Sequence, residues 1–558
     1  MRAGESAAKA GRLAEAKRQY ARAAMLAPTM PEGHAALGSV LLRLREYKAA
    51  LQQLSRAHAL APGNAEVALL LAEADVDNGL YGDGAPLFRQ LAASSGGPRF
   101  APEDFILFAL ALSATGDEAG AEQTLRAGVA QEASSAELHD ALGTMIARRG
   151  GMEEALGEFR QAVALGPESA KAQYHEGVTL LALGRPLEAV SLLQRCVSVQ
   201  PREFDYQLQL GRALSAVHED AKALYTLHAA VTLVTPRVPA EALYALALAL
   251  QASGDAAASL PVFEQAAKLG INSSEALTNH ALALVQTGDA KDALPLYERA
   301  VAQGPDQPTL REDYGVAYLQ QSDLDHALAQ FRAGLALDSK NAHLHYDLGL
   351  ALKLKDDLSA AVPEFERAAE LDPTLPDPAY TLGVIYMQQG RFEEAATQLT
   401  RATTLQPGDG DAWAVLGSVL KEAGRQADAR EALRRAIALE PDQPGLHIEL
   451  AALESQAGEK DAAAQERKVA ADLSRAAAVR QRASFALKSG RSLLGEGKVS
   501  EAISQLTIAV EADSGLVEGH RLLADAYTRQ GSTAKAAIER KTASALAAQA
   551  AGAPAGRP

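Results

Sequence analysis

Residues 342–375 read AHLHYDLGLALKLKDDLSAAVPEFERAAELDPTL, and the next 34 residues repeat the same pattern of small, large and turn residues. Within this unit Gly349 stands at position 8, Ala361 at position 20, Phe365 at position 24 and Pro373 at position 32. Two runs of helical periodicity are divided by a turn and closed by the proline, which predicts an antiparallel helix hairpin. Because neither helix can bury its apolar stripe alone, neighbouring hairpins are expected to stack.

The pattern recurs every 34 residues along the chain. Position 8 is Gly or Ala in every unit, and position 20 is Ala in all but two. The frame gives about sixteen units, with short insertions near 99–101, 238–239 and 478–482. A period of this kind predicts an array whose stacked units share one continuous core. The position 8 residues include Gly143, Gly177, Gly211, Ala247, Ala281, Gly315, Gly349, Gly383, Gly417 and Ala451.

The order and spacing of these residues resemble the tetratricopeptide repeat, over essentially all of residues 1–550. The resemblance implies an all-α fold, a right-handed superhelical solenoid of antiparallel helix hairpins. Close packing of each hairpin predicts that the small residue at position 8 faces the Ala at position 20, while the large residue at position 24 fills the adjoining gap. All of these positions serve packing, so they identify an architecture and leave the partner open.

The frame also predicts how the chain is divided. Residues 1–477 are expected to form the main solenoid, whose first unit lacks its opening turn because Met1 falls at position 5. Residues 478–482 are a helical junction, and 483–550 form two further units. Residues 551–558 are small and Pro-bearing, which predicts a disordered tail.

The junction departs from the punctuation of the other units. No Gly or Pro occurs between Glu459 and Ser489, and Arg467 replaces the aromatic residue of position 24. The stretch is therefore either one long helix or two helices joined by a short polar turn. A long helix would bend or interrupt the stack at this point.

Composition narrows the partners and the compartment. With 54 basic against 70 acidic residues among 558, the net charge is −16, which argues against nucleic acid and favours a basic partner. No 18-residue apolar run predicts a membrane-spanning segment. The first residues contain no apolar export segment, so the chain is expected to be cytoplasmic as given, or periplasmic or secreted if an export signal lies upstream of Met1.

No catalytic residues, cofactor or metal site are predicted. Cys196 occupies a slot held by Ala in most units, so it is interpreted as a small core residue. His343 and His345 project about 200° apart on a helix and cannot chelate one ion. The histidines at position 4 share that slot with Trp413 and are interpreted as flat packing residues: His34, His139, His345, His447 and His520.

In the family the first helices line a groove through positions 2, 5, 6, 9, 12 and 13. Carboxylates at position 2 either support helix N-termini or make the groove rim acidic. Tyrosines at position 5 either pack in the core or meet a ligand. Position 2 is acidic in Glu32, Glu66, Glu103, Glu137, Asp205, Glu241, Glu275, Asp377, Asp411 and Glu518.

Tyrosine among carboxylates suits a peptide that bears Arg or Lys, through ring stacking and charge-assisted hydrogen bonds. The best such patch is predicted in the units beginning at Pro308, Ala342 and Pro376, and consists of Glu312, Asp313, Tyr346, Asp347 and Tyr380. A second predicted patch consists of Tyr174, His175, Tyr244 and Asn279.

The predicted function is a non-enzymatic adaptor that binds partner proteins or extended peptides in this groove. Two alternatives remain open. The array could deliver substrate to an enzyme subunit encoded elsewhere, or it could be an envelope or secretion assembly factor.

Overall fold

The structure is a computed structural model that describes residues 1–94 and 97–552. Every regular element in these residues is an α-helix, and none of them forms a strand. The helices, in chain order, are α1 (Arg2–Lys9), α2 (Leu13–Leu26), α3 (Pro31–Arg43), α4 (Tyr47–Leu60), α5 (Ala65–Asp77), α6 (Tyr81–Ala93), α7 (Pro102–Ala114), α8 (Glu118–Gln131), α9 (Ala136–Arg148), α10 (Met152–Leu165), α11 (Ala170–Ala182), α12 (Pro186–Val199), α13 (Phe204–Ala216), α14 (Asp220–Val234), α15 (Ala240–Ala252), α16 (Ala256–Lys268), α17 (Ser274–Thr287), α18 (Ala290–Gln303), α19 (Pro308–Gln320), α20 (Leu324–Leu337), α21 (Ala342–Leu354), α22 (Leu358–Leu371), α23 (Pro376–Gln388), α24 (Phe392–Leu405), α25 (Gly410–Glu422), α26 (Gln426–Leu439), α27 (Pro444–Gln456), α28 (Lys460–Gly495), α29 (Val499–Ala512), α30 (Val517–Arg529) and α31 (Thr533–Gly552).

The helices form consecutive hairpins, and each hairpin packs on the next within its unit. The 31 helices of the described residues make sixteen hairpins, because α28 is both the second helix of one hairpin and the first helix of the next. The all-α repeat architecture predicted from the 34-residue period is confirmed.

The chain divides into two compact units, Met1–Pro305 and Asp306–Pro558. Each unit has its own buried core of Ala, Leu and aromatic side chains. The predicted divisions at 477 and 483 remain predictions. Helix α31 ends at Gly552, and the rest of the predicted disordered tail lies outside the described residues.

Each hairpin turns at position 15, where the backbone has a positive φ. Glycine fills most of these positions, as at Gly390 with φ 75°. The exceptions are Arg45, His218, Ser322 and Asp356, with φ between 58° and 65°. The turn therefore imposes a left-handed conformation even where the sequence supplies a residue that disfavours it.

The two helices of a hairpin are in closest contact between positions 8 and 24. A Cβ atom on Gly349 would lie 2.7 Å from Cε1 of Phe365, whose side chain is fully buried. The predicted partner of position 8 was position 20, and this detail is corrected. Helical side chains lean toward the N-terminus of their own helix, so the Phe365 ring covers the turn that carries Ala361.

Helix α28 is a single helix of 36 residues, about 54 Å long, so the long-helix alternative is the one present. Residues 474–482 in its middle are all exposed to solvent. Its N-terminal part packs on α27 and its C-terminal part on α29.

Candidate functional site

Three partly buried carboxylates lie together in the second unit. Glu312 and Asp313 are on α19, and Asp347 is on the neighbouring α21. Burial raises the pKa of Asp347 to about 7, and the charges of Glu312 and Asp313 raise it further toward that value. Burial and the charge of Glu312 raise the pKa of Asp313 to about 6. Burial also raises the pKa of Glu312, which His343 partly offsets.

Two tyrosines border these carboxylates. The Tyr346 ring lies 5.6 Å from the ring of Phe365, centroid to centroid, and its hydroxyl is hydrogen-bonded to Thr381. Burial raises the pKa of Tyr346, and the charges of Asp377 and Asp347 add to this. Both Tyr346 and Tyr380 are partly buried, so each ring packs on the repeats while one side remains accessible.

The structure brings Glu312, Asp313, Tyr346 and Asp347 within electrostatic range of one another. Tyr380 belongs to the next step along the stack, where Asp411 and Asp409, after burial, raise its pKa. These five residues are called the acidic–aromatic cluster below.

The predicted Tyr174 and His175 lie on α11 in the first unit and contact different partners. His175 Nδ1 is 2.6 Å from Oδ1 of Asp140, and Lys171 Nζ is 2.9 Å from Oδ2 of the same residue. Burial opposes the charge of Asp140, yet these two hydrogen bonds lower its pKa below the ordinary value. The Tyr174 and Tyr206 rings are 5.0 Å apart. This carboxylate already has its cations.

Tyr244 and Asn279 form a separate network. The Asn279 amide donates to the Tyr244 hydroxyl at 2.8 Å, and that hydroxyl donates to Glu275 at 3.5 Å. Burial raises the pKa of Tyr244 to about 12. The second predicted patch is therefore two hydrogen-bonded groups, each satisfied largely within the protein.

Other candidate chemistry is sparse in the described part of the chain. No group of three or more His, Cys, Asp or Glu residues there could hold a metal ion. None of the described helices is long and apolar enough to cross a bilayer. Cys196 is fully buried and its thiol donates to the Ala170 carbonyl at 3.2 Å. Burial raises the pKa of this thiol to about 11, which makes it a core residue, as predicted from its slot.

Comparison with known families identifies the repeat. The tetratricopeptide repeat matches residues 1–65, 147–207, 244–308, 278–342, 313–376, 380–444 and 487–553, which together make up more than half of the sequence. The chain belongs to the tetratricopeptide repeat family. None of the curated proteins matches it.

Several solved structures are similar to this tetratricopeptide chain. The APC/C hetero-tetramer Cut9–Hcn1 is 15% identical, covers 81% of this chain and 95% of its own, and has a TM-score of 0.37. MamA 41-end from Desulfovibrio magneticus RS-1 is 20% identical over 31% of this chain and 97% of its own, with a TM-score of 0.29. YrrB, a TPR protein with an unusual peptide-binding site, is 23% identical over 32% and 92%, with a TM-score of 0.28.

One acidic pair in the tetratricopeptide frame was missed by sequence reasoning. Glu73 on α5 is hydrogen-bonded to Asp104 on α7, and burial followed by the Asp104 charge raises the pKa of Glu73 to about 8. Asp104 is only 6% exposed and accepts a hydrogen bond from the Ala101 amide at 2.7 Å. The signal was available, because Asp104 occupies position 3, where Leu138 and Leu344 are fully buried.

Proposed function

We propose that this tetratricopeptide protein is a non-enzymatic scaffold that binds partner proteins or extended peptides along the first helices of its repeats. The acidic–aromatic cluster is the proposed contact for a basic segment of the partner. The observation that supports this is the raised pKa of Asp313 and Asp347 beside Glu312. Three carboxylates that repel one another have no strong cation among them.

A ligand guanidinium or ammonium group would relieve that repulsion. Its charge would stabilise the ionised carboxylates, and an Arg side chain could also stack on Tyr346. Asp140 in the first unit offers less to such a ligand, because His175 and Lys171 already bind it. The chemistry therefore favours the second unit as the site for a basic peptide.

The test uses the full chain and a fluorescein-labelled extended peptide that alternates Arg with Ser. Replacing Glu312, Asp313 and Asp347 together by Lys is expected to weaken binding by about a hundredfold while helical content is unchanged. Raising salt should weaken wild-type binding, because exposed charge pairs are screened within about 8–10 Å. The matched control replaces three exposed glutamates on second helices, Glu298, Glu431 and Glu511, by Lys.

The control variant changes net charge by the same amount as the cluster variant. A local site predicts that the control keeps most of its affinity, and that a Glu–Ser peptide binds the cluster variant better than wild type. Equal losses in both variants would mean that only overall charge matters. Unchanged binding in the cluster variant would reject this site and direct attention to Tyr174, His175 and Tyr244.

A further inference from the structure

Helix α28 creates a break in the stacking of repeats. The first helix of the repeat that begins at Ala483 is its C-terminal part, and the second helix of the preceding repeat is its N-terminal part. In other repeats the preceding second helix is a separate element that packs on the next first helix. Here it is continuous with that helix and cannot fold back onto it.

Position 3 shows what this removes. Leu344 occupies position 3 of α21, is fully buried, and lies so close to Gly334 of α20 that a Cβ on the glycine would be 2.8 Å from its Cδ1 atom. The equivalent residue in α28 is Phe485, which is 74% exposed. The residue equivalent to Gly334 is Ala470, about 22 Å away along the same helix.

The same face continues along α28. Positions 7 and 10 are Leu348 and Ala351 in α21, both buried, but Ser489 and Ser492 in α28, of which Ser492 is exposed. Phe485 and these serines line a shallow depression. Its acidic rim residue Glu496 is 2.8 Å from Lys498, so this carboxylate is neutralised within the protein.

The two sides of the break differ in chemistry. Arg467 stands at position 24 before the break, and Arg540 stands at position 24 of the last repeat, where other repeats bury an aromatic or Leu side chain. A polar residue suits an end of a stack that faces water. Phe485 on the other side has no such adaptation, and an exposed aromatic on a rigid helix is typical of an interaction site.

The charge around Phe485 indicates the kind of partner. Residues 473–495 contain five basic residues and no acidic residue, in a chain of net charge −16. Arg482 and Lys488 lie three residues to either side of Phe485 and therefore flank it on the helix surface. None of the described residues forms an ion pair with Arg480, Arg482 or Lys488.

We propose that the face of α28 formed by Phe485, Ser489 and Ser492 binds an amphipathic helix of another protein. The rest of the chain covers the same three positions with a helix whose contact stripe is small, so the partner helix is expected to present Ala or Gly there. Its flanks are expected to carry Glu or Asp, which complement Arg482 and Lys488. This surface does not depend on the basic-peptide site.

The probe is a synthetic Ala-striped helix of about 22 residues with Glu on both flanks, compared with the same peptide bearing Lys. Fluorescence anisotropy with the full chain should show binding of the Glu peptide and at least about tenfold weaker binding of the Lys peptide. Phe485→Asp should reduce affinity for the Glu peptide by about tenfold or more, whereas Phe485→Leu retains it. Tyr225→Asp, at an aromatic that is 80% exposed on α14, is the matched control.

Circular dichroism should be unchanged in these variants because both side chains are exposed. Absence of binding by either peptide, or equal binding by both, would overturn the proposal. So would equal losses in the Phe485 and Tyr225 variants. If wild type sediments as a dimer that Phe485→Asp converts to a monomer, the occupant is a second copy of this chain and the heterologous helix is rejected.

Discussion

At the scale of single residues, the histidines of position 4 tie three helices together. His345 Nε2 donates to the Ser339 carbonyl at 3.2 Å, and Nδ1 is 2.6 Å from Glu364. The first contact reaches the turn after α20, and the second reaches α22. The same spacing, six residues back and nineteen forward, recurs in His139 with Glu158, His447 with Glu466 and His520 with Glu539.

Sequence reasoning identified these histidines as packing residues but missed the glutamates. The flat ring and its slot are visible in one unit, whereas the carboxylate partner becomes apparent only when residues nineteen apart are compared across units. His34 uses Gln53 in the same place, so the pattern is one of geometry more than of charge. Trp413 retains only the backward contact, to the Pro407 carbonyl at 3.1 Å.

Replacing His345 by Phe should keep the ring and remove both hydrogen bonds. The buried acceptors would lose their donor, which is expected to destabilise this hairpin by about 1–3 kcal/mol. Hydrogen exchange should accelerate in α20, α21 and α22 and remain unchanged in distant repeats. Glu370→Ala, an exposed change in the same region, is the control, and equal exchange in both variants would argue against the clamp.

The turn position gives a prediction of opposite sign. Ser322 has φ 58°, a conformation that glycine adopts without strain, so Ser322→Gly is expected to stabilise the hairpin of α19 and α20 by about 0.5–1 kcal/mol. Ser253→Gly is the comparison, because its φ of −76° gives glycine no advantage there. Local hydrogen exchange measures both. A loss of stability in Ser322→Gly would show that the serine side chain contributes more than the backbone strain removes.

At the scale of helices, the small residues predicted from the period are the ones that set the hairpin spacing. Gly349 and Ala361 were both identified from sequence, while the direct contact of Gly349 with Phe365 was not. A repeat pattern records which positions must be small, but the direction in which a helical side chain leans decides which pair touches. The length of α28 was likewise undecided, because an Ala-rich charged run has no periodicity that separates one helix from two.

Overpacking this spacing tests it. Ala361 is fully buried, so Ala361→Phe should separate α21 from α22 and destabilise by roughly 1–3 kcal/mol or more. Because repeats couple mainly to their neighbours, unfolding should begin locally and become broad or multistep. Glu370→Phe places the same ring on the exposed face of α22 as a control. A sharp two-state transition with the same midpoint in wild type and Ala361→Phe would refute the packing assignment.

At the scale of the whole molecule, the 34-residue period was sufficient for the architecture and insufficient for the sites. The net charge of −16 predicts a preference for cations but not where carboxylates are crowded. Crowding depends on which first helices lie side by side and how deeply each carboxylate is buried. The Glu73 and Asp104 pair and the group around Asp347 both depend on that three-dimensional arrangement.

The group around Asp347 predicts opposite pH dependences for stability and for binding. The folded-state pKa of Asp347 is about 7 and that of Asp313 about 6, both above the ordinary 3.8, so the folded protein holds more protons than the unfolded chain between these values. Local stability should therefore fall as pH rises from about 4 to 7. Affinity for a basic peptide should rise from pH 5.5 to 8, because the ligand cation binds the ionised carboxylates.

Calorimetric titration in buffers of different ionisation heat should detect proton release on binding near pH 6.5. Asp347→Asn should reduce both pH dependences and increase local stability at pH 8 by about 1–2 kcal/mol. Because the asparagine keeps the shape and loses the charge, it should also weaken peptide binding at pH 8 more than at pH 5.5. Wild-type affinity that stays constant across this range would show that the ligand does not contact these carboxylates, even if the protein binds basic peptides elsewhere.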